Sequence, residues 1–428
     1  MTDMATEIET NSRGTVEKPL AQATASAPVL SKPTRVGSID AYRGLVMFLM
    51  MAEVLELREV ANNVPGSKIW SFLAHHQTHV EWIGCSLHDL IQPSFSFLVG
   101  VALPFSLARR TSEGQPPWRR TLHAFWRAAV LVLLGVFLRS TSFHHTYWTF
   151  EDTLSQIGLG YGFLYILANR SKAVQWSALV VILVGYWAAF ALYPLPGSDF
   201  NWKAAGVDPA NAETQLSGFA GHWSKNTNAG AAFDVWFLNL FPRSPEFPGG
   251  GATFTGNPGG YLTLSFIPTL GTMILGLLAG GVLASARASW AKIRWLAVAG
   301  AVCLLAGWLC GVLGICPVVK RIWTPSWVLY SGGWCFLLLA AFYAVIDIWH
   351  WRRWAFPLVV IGMNSIAAYM IAHLFPGFIR GALPRHLGSG VFESLGPAYE
   401  HFLLGLGILV VEWLILFWMY RRKIFLRI

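Results

Sequence analysis

Ten stretches of about 20 mostly apolar residues recur along this chain, near residues 38–57, 88–109, 118–139, 153–169, 174–193, 260–284, 292–315, 325–348, 355–376 and 399–420. No other feature limits the fold as much. A helix rises about 1.5 Å per residue, so about 20 apolar residues cross a hydrocarbon core of roughly 30 Å. Lipid offers no partner to backbone N–H and C=O groups, and a helix satisfies them within one segment. Composition agrees, with 54% of residues hydrophobic and only 12% charged. The chain is predicted to be an all-α integral membrane protein, a polytopic bundle of about ten transmembrane helices.

An even number of crossings places both termini on one side. On this layout nineteen Lys and Arg residues fall on one face, mostly in short loops or the terminal tails, and ten on the other, mostly in longer loops. Short basic loops stay in the cytoplasm, so both termini are predicted to be cytoplasmic. The net charge of +9 is therefore a topology signal. It forms no patch, which argues against nucleic acid as a partner. Membrane lipid is the expected surrounding, and a homo-oligomer is compatible with the sequence.

Residues 1–35 are rich in Ser, Thr, Ala, Glu and Pro with no apolar run, and are expected to form a disordered cytoplasmic tail. The tail lacks the apolar core of a cleavable signal peptide, so the first helix is the expected targeting signal. Residues 36–428 form the expected transmembrane domain, with a long loop at about 194–258 on the outer face. Its Trp202, Trp223 and Trp236 suit lid packing, interface anchoring or a platform for a sugar ring. The five cysteines show no metal-ligand spacing. Cys303 and Cys310 share one helix, and a Cys85–Cys316 bridge is one option on the outer face.

Small residues punctuate several helices, among them Gly158, Gly160, Gly162, Gly276, Gly280, Gly300 and Gly307. In lipid, small residues let helix backbones approach closely. Arg127 and Glu412 both lie roughly 12–13 Å from the cytoplasmic face at about 1.5 Å per residue. They are expected to pair or to share a polar network.

The candidate chemistry sits on the loop between the first two spans. An ordinary imidazole titrates near pH 6.5, so His79 is a residue that can act as a base at neutral pH or carry an acyl group. Glu81 and Asp89 are near enough in sequence to orient its ring. The nearby His75, His76 and His88, with His144 and His145, also admit a metal-site reading, but the spacing fits no zinc pattern and no metal is expected. Asp40 and Arg43 open the first helix. Ser38 or Asp40 can cap it, and Arg43 can meet a lipid phosphate or the phosphate of a nucleotide cofactor. That helix links Arg43 at one face to Glu53 and Glu56 near the other.

Several elements occur in order: Ser38-Ile-Asp-Ala-Tyr-Arg-Gly44; His79-Val-Glu-Trp82-Ile-Gly84 running to Asp89 and Pro93; Phe95-Ser-Phe-Leu-Val-Gly100; Leu154-Ser-Gln156; Asn228 with Asp234; and Gly362-Met-Asn364-Ser365. Together they resemble the transmembrane N-acetyltransferases of the heparan-α-glucosaminide type. The resemblance implies acetyl transfer from cytoplasmic acetyl-CoA to an amino sugar or other glycan acceptor on the far side. It implies His79, Asp89 and Asn364 as catalytic residues, with His79 acting through an acetyl-imidazole or as a general base, and Asn364 as an oxyanion donor. Asp40, Arg43, Arg127 and Gln156 would hold the coenzyme. Glu53, Asn228, Asp234 and Asn257 would shape the acceptor site. The implied location is a bacterial inner (plasma) membrane, with His79 toward the periplasmic or extracellular side.

The chain departs from that pattern in three places. The family's Asp-Pro-Glu-Gly reads Asn257-Pro-Gly-Gly260, the arginine of its Leu-Gln-Arg element is missing after Gln156, and the outer end of the first helix reads Glu53-Val54 where Asn is common. These changes bear on the acceptor more than on the acetyl donor. A transporter or lipid-binding membrane protein on the same scaffold is the alternative, with Glu53, Arg127 and Glu412 as its coupling charges.

Overall fold

The computed structural model describes residues 36–426; the tail expected at 1–35 lies outside them. Among the described residues every long element is a helix: α1 Gly37–Met51, α2 Leu57–Asn63, α3 Lys68–Gln77, α4 Ile91–Ser112, α5 Pro117–Ser140, α6 Thr153–Ala168, α7 Lys172–Ala191, α8 Ala229–Phe237, α9 Phe266–Ala284, α10 Ser289–Val312, α11 Pro325–Phe342, α12 Phe356–Met363, α13 Ser365–Leu374, α14 Pro376–Leu387 and α15 Glu400–Arg421. All ten apolar stretches are helical. Among the described residues seven helices are long and apolar enough to cross a membrane, or eight if a bent pair counts as one span. The shortfall from ten has local causes. α1 stops after 15 residues and continues as a 3-10 turn, Ala52–Leu55. α6 has 16 residues. The stretch at 355–376 breaks at Asn364, where α12 and α13 meet at a 74° bend.

Burial separates a core from a lipid-facing ring. In the most apolar part of α9, 78% of residues are buried inside the protein, against 17% for α10 and 22% for α7. The exposed residues of α7 and α10 include Val180, Val181, Val184, Val298, Val302 and Leu305. Such faces suit lipid, where the hydrophobic effect does not press helices together and close packing does the work. Glycine makes that packing possible in the core. A Cβ at Gly276 of α9 would sit 1.9 Å from the Phe97 carbonyl oxygen of α4, and one at Gly100 of α4 would sit 2.0 Å from the Met273 carbonyl oxygen.

The helix ends are tied by residues distant in sequence. Asp347 Oδ1 and Oδ2 accept the Gly37 and Ser38 amides at 3.2 and 3.1 Å, so α1 is capped from another helix and not by Ser38 or Asp40. The loop after α3 is sewn to the loop before α11: Ile83 bridges Val319, and the Gly84 amide donates to the Val318 carbonyl at 3.1 Å. Trp82 is buried and donates its indole N–H to the Trp223 carbonyl at 3.0 Å, which anchors the long 194–258 loop beneath it. Trp223 is thus a packing residue, Trp202 packs edge-on against Phe200, and Trp236 is exposed. All five cysteines are free thiols, so Cys85 and Cys316 form no bridge.

Candidate active site

Pairing of the loop that carries Lys320 with the His79 segment assembles a three-residue polar centre. His79 follows α3, and Asp89 lies in a 3-10 turn that leads into α4. The Asp89 carboxylate is completely buried. Its Oδ2 accepts the Ser86 amide at 2.9 Å and the Val80 amide at 3.3 Å. Its Oδ1 lies 2.8 Å from His79 Nδ1 and 3.2 Å from Lys320 Nζ. A carboxylate so fixed by donors is an acceptor, which favours the tautomer with the proton on Nδ1 and Nε2 as the basic nitrogen. The Lys320 ammonium stands 3.0 Å from Nδ1 and 3.5 Å from Nε2. Burial pulls the His79 imidazole below its ordinary value; the Asp89 hydrogen bond opposes this and the Lys320 charge adds to it. Burial also pulls the Lys320 ammonium down, against the attraction of Asp89. A neutral, oriented imidazole follows.

His79 and Lys320 border a cavity of about 500 Å³. Its lining includes Met47 and Met50 of α1 and Phe95 of α4. Also on the lining, His88 Nε2 meets Glu53 Oε1 at 2.9 Å. A second network borders the cavity through Arg139, Glu151, Asp152, Tyr261, Tyr369 and His373. Arg139 lies 3.6 Å from Glu151 and 3.5 Å from Asp152. The Tyr369 hydroxyl donates to Asp152 at 3.2 Å. Asp152 also caps α6 by accepting the Leu154 amide at 2.9 Å. Burial pushes the Glu151 carboxyl up, and Arg139 opposes that.

The sequence-derived candidates divide into those at the cavity and those holding the scaffold. His79 and Glu53 line the cavity, and Asp89 stands directly behind His79. Asn257 reaches it indirectly: its amide donates to Glu151, and its Oδ1 accepts the Gly259 amide at 2.8 Å. Asn364 donates to the Ile424 carbonyl at 2.8 Å and accepts the Leu426 amide at 3.1 Å, which ties down the end of the chain. Gln156 donates to the carbonyls of Phe150, Leu262 and Thr263. Asn228 caps α8 by accepting the Ala231 amide at 3.0 Å. Asp234 accepts the Thr263 amide at 2.9 Å, and burial pushes its carboxyl up to about 7. Asp40 and Arg43 contact each other at 3.8 Å at the start of α1. Arg127 donates to the Tyr161 hydroxyl at 3.3 Å and stacks on its ring. It does not pair with Glu412, whose buried carboxylate has no hydrogen-bond partner among the described residues.

Lys320, Arg139, Glu151, Asp152, Tyr369 and His373 line the cavity and were not among the candidates the sequence offered. Lys320 and Arg139 did carry a signal, since both lie on the face where basic residues are few. No group of three or more His, Cys, Asp or Glu among the described residues is arranged to hold a metal ion.

The fold and site define an all-α polytopic membrane protein with an Asp–His–Lys centre, its Asp89 and Lys320 buried, beside a polar cavity. No protein-family model matches the chain. Among curated proteins it is similar to heparan-alpha-glucosaminide N-acetyltransferase of Homo sapiens, 23% identical over 445 aligned positions, covering 92% of this chain and 60% of the relative. It is also similar to heparan-alpha-glucosaminide N-acetyltransferase of Mus musculus, 21% identical over 379 positions, covering 79% of this chain and 53% of that relative. The chain is a distant relative of these proteins and spans between half and two thirds of their length.

Proposed function

We propose that this protein is a membrane acetyltransferase that moves an acetyl group from acetyl-CoA to an amino sugar or other glycan acceptor. The observation that carries this reading is the 2.8 Å contact between His79 Nδ1 and buried Asp89, with the ring edging a substrate-sized cavity. The distant relatives, named as acetyltransferases, support it.

Asp89 holds the imidazole with its Nε2 lone pair free. As the acceptor nitrogen attacks the thioester carbonyl, a C–N bond forms and Nε2 takes the nitrogen's proton. The C–S bond then breaks, and the thiolate recovers that proton from the imidazolium. The same nitrogen serves a two-step route, in which Nε2 attacks the carbonyl, thiolate leaves, and the amine displaces the acetyl from the imidazole. The Lys320 ammonium, 3.5 Å from Nε2, is suitably placed to stabilise the oxyanion that either route creates. The coenzyme's phosphates would lie toward Arg43 and Arg127. Arg43 and Glu53 are ten residues apart, about 15 Å along a helix, a span that an extended pantetheine arm bridges. The acceptor would enter from the periplasmic or extracellular side of a bacterial inner membrane.

The test is incubation of the purified protein with radiolabelled acetyl-CoA and a panel of amino sugars. Thiol release and labelled product are expected, and His79→Ala should lower turnover by roughly 10²–10⁴-fold. Absence of both turnover and coenzyme binding at millimolar acetyl-CoA would reject the enzyme.

A further inference from the structure

The chemistry above leaves one pair on the cavity wall without a task. His88 and Glu53 are joined at 2.9 Å; the His88 side chain is 7% exposed and that of Glu53 is 55% exposed. Both border the cavity. The His88 ring centroid is 4.5 Å from that of His79. A second imidazole, supported by its own carboxylate, therefore stands beside the first.

Acetylation of an amine that arrives as an ammonium needs two proton acceptors. The ammonium must lose one proton before its lone pair can attack, and the attacking nitrogen loses another as the amide forms. His79 takes only one, and returns it to the departing thiolate. We infer that the Glu53–His88 pair accepts the other proton, from an acceptor amine that binds in its ammonium form. This inference rests on the acetyl-transfer reading. The ammonium docks at Glu53, its N–H bond breaks with the electron pair left on nitrogen, and the proton passes to the Glu53 carboxylate, which His88 Nε2–H holds in place. The neutral amine then attacks the thioester, its second proton passes to His79 Nε2, and the C–S bond breaks. The thiolate is protonated from His79, and the proton held by the pair leaves to solvent. One proton is released per acetyl group, as the balanced reaction requires.

Charge around the cavity fits such an acceptor. Lys320 is offset by Asp89 behind it. That leaves the formal charges of Glu53, Glu151 and Asp152 facing the single guanidinium of Arg139. Opposite charge favours a cation here, and a low-dielectric wall strengthens the attraction.

The experiment uses the whole chain in lipid nanodiscs with two acceptors. Glucosamine is largely an ammonium at pH 7, whereas the aromatic amine of 4-aminophenyl glucoside is already neutral. Glu53→Gln and His88→Asn should each lower the ratio of kcat/KM for glucosamine to that for the aryl amine by roughly 10²-fold, with partial recovery in Glu53→Asp. Equal losses on both acceptors, or no loss, would overturn the inference. Binding of glucosamine without donor, followed by equilibrium dialysis, gives a readout independent of turnover. Glu53→Gln should weaken it about tenfold or more, the scale of one charge-assisted contact, and unchanged binding would overturn the ammonium site. If the wild type binds glucosamine through Glu53 yet transfers no acetyl group, the acetyltransferase reading and the proton-acceptor role both fail, and the ammonium site alone stands.

Discussion

Lys320 and His79, 241 positions apart in the chain, meet with Nζ 3.0 Å from Nδ1. Asp89 Oδ1 lies within 3.2 Å of both. The three form one electrostatic unit. Asp89 sets the tautomer, and Lys320 keeps the imidazole from gaining a second proton while neutralising the carboxylate that would otherwise favour it.

The pH profile should reveal this balance. In the proposed mechanism the base form of His79 is the active one, so kcat/KM rises with pH through its pKa. That pKa is held below the ordinary value of about 6.5, and the acid limb of the wild type should lie below that pH. The groups facing the ring are Asp89 and Lys320, with His88 and Glu53 beyond. Lys320→Met removes a nearby positive charge and leaves Asp89 unopposed, so the acid limb should move to higher pH. Steady-state kinetics from pH 5 to 8 decide it; an unmoved or lowered limb would show that Lys320 does not act on the imidazole.

Asp89 and Lys320 should also be coupled in stability. Both are almost fully buried, with side-chain exposures of 1% and 6%. Asp89→Asn strands a buried ammonium, a loss of about 3–5 kcal/mol. The double variant Asp89→Asn with Lys320→Met removes both charges and should lose less than the two single variants combined. Denaturant or thermal unfolding in detergent tests the cycle, and strict additivity would contradict the pairing.

Packing between α4 and α9 should tolerate nothing larger than glycine at position 276. A Cβ there meets backbone, which cannot rotate away. Gly276→Val is expected to destabilise by about 1–3 kcal/mol or more. Gly185→Ala makes a control, since a Cβ at Gly185 has nothing within 4 Å; its effect should stay within about 1 kcal/mol. Comparison of melting temperatures is sufficient.

Asn364 should act through the end of the chain. Its two hydrogen bonds to Ile424 and Leu426 are worth about 1 kcal/mol each. Asn364→Ala should lower stability by about 2 kcal/mol and speed proteolytic removal of residues after Arg421. Lost acetyl transfer with stability and protease resistance intact would instead give Asn364 a direct place in the chemistry.

The helical architecture was legible because lipid enforces it. Each apolar stretch had to become a helix, and each did, but spacing did not reveal that Asn364 would break one or that α1 would tighten into a 3-10 turn at Ala52. His79 with Asp89 was legible because ten residues of local chain bring them together. Arg127 and Glu412 show the opposite case. Equal depth in the membrane suggested a pair, yet depth leaves the rotation of each helix open, and Arg127 faces Tyr161.

Apolar patterning and basic loops thus specified a helical membrane protein and the loop that bears its imidazole, since both are local consequences of the solvent around the chain. The partners of that imidazole were decided by folding. The Ile83–Val319 bridge and the Gly84–Val318 hydrogen bond carry Lys320 to His79, and the meeting of α5, α6 and α13 brings Arg139, Asp152 and Tyr369 together at the cavity. Contacts between residues hundreds of positions apart depend on which helix faces touch, and periodicity along a single segment does not encode that.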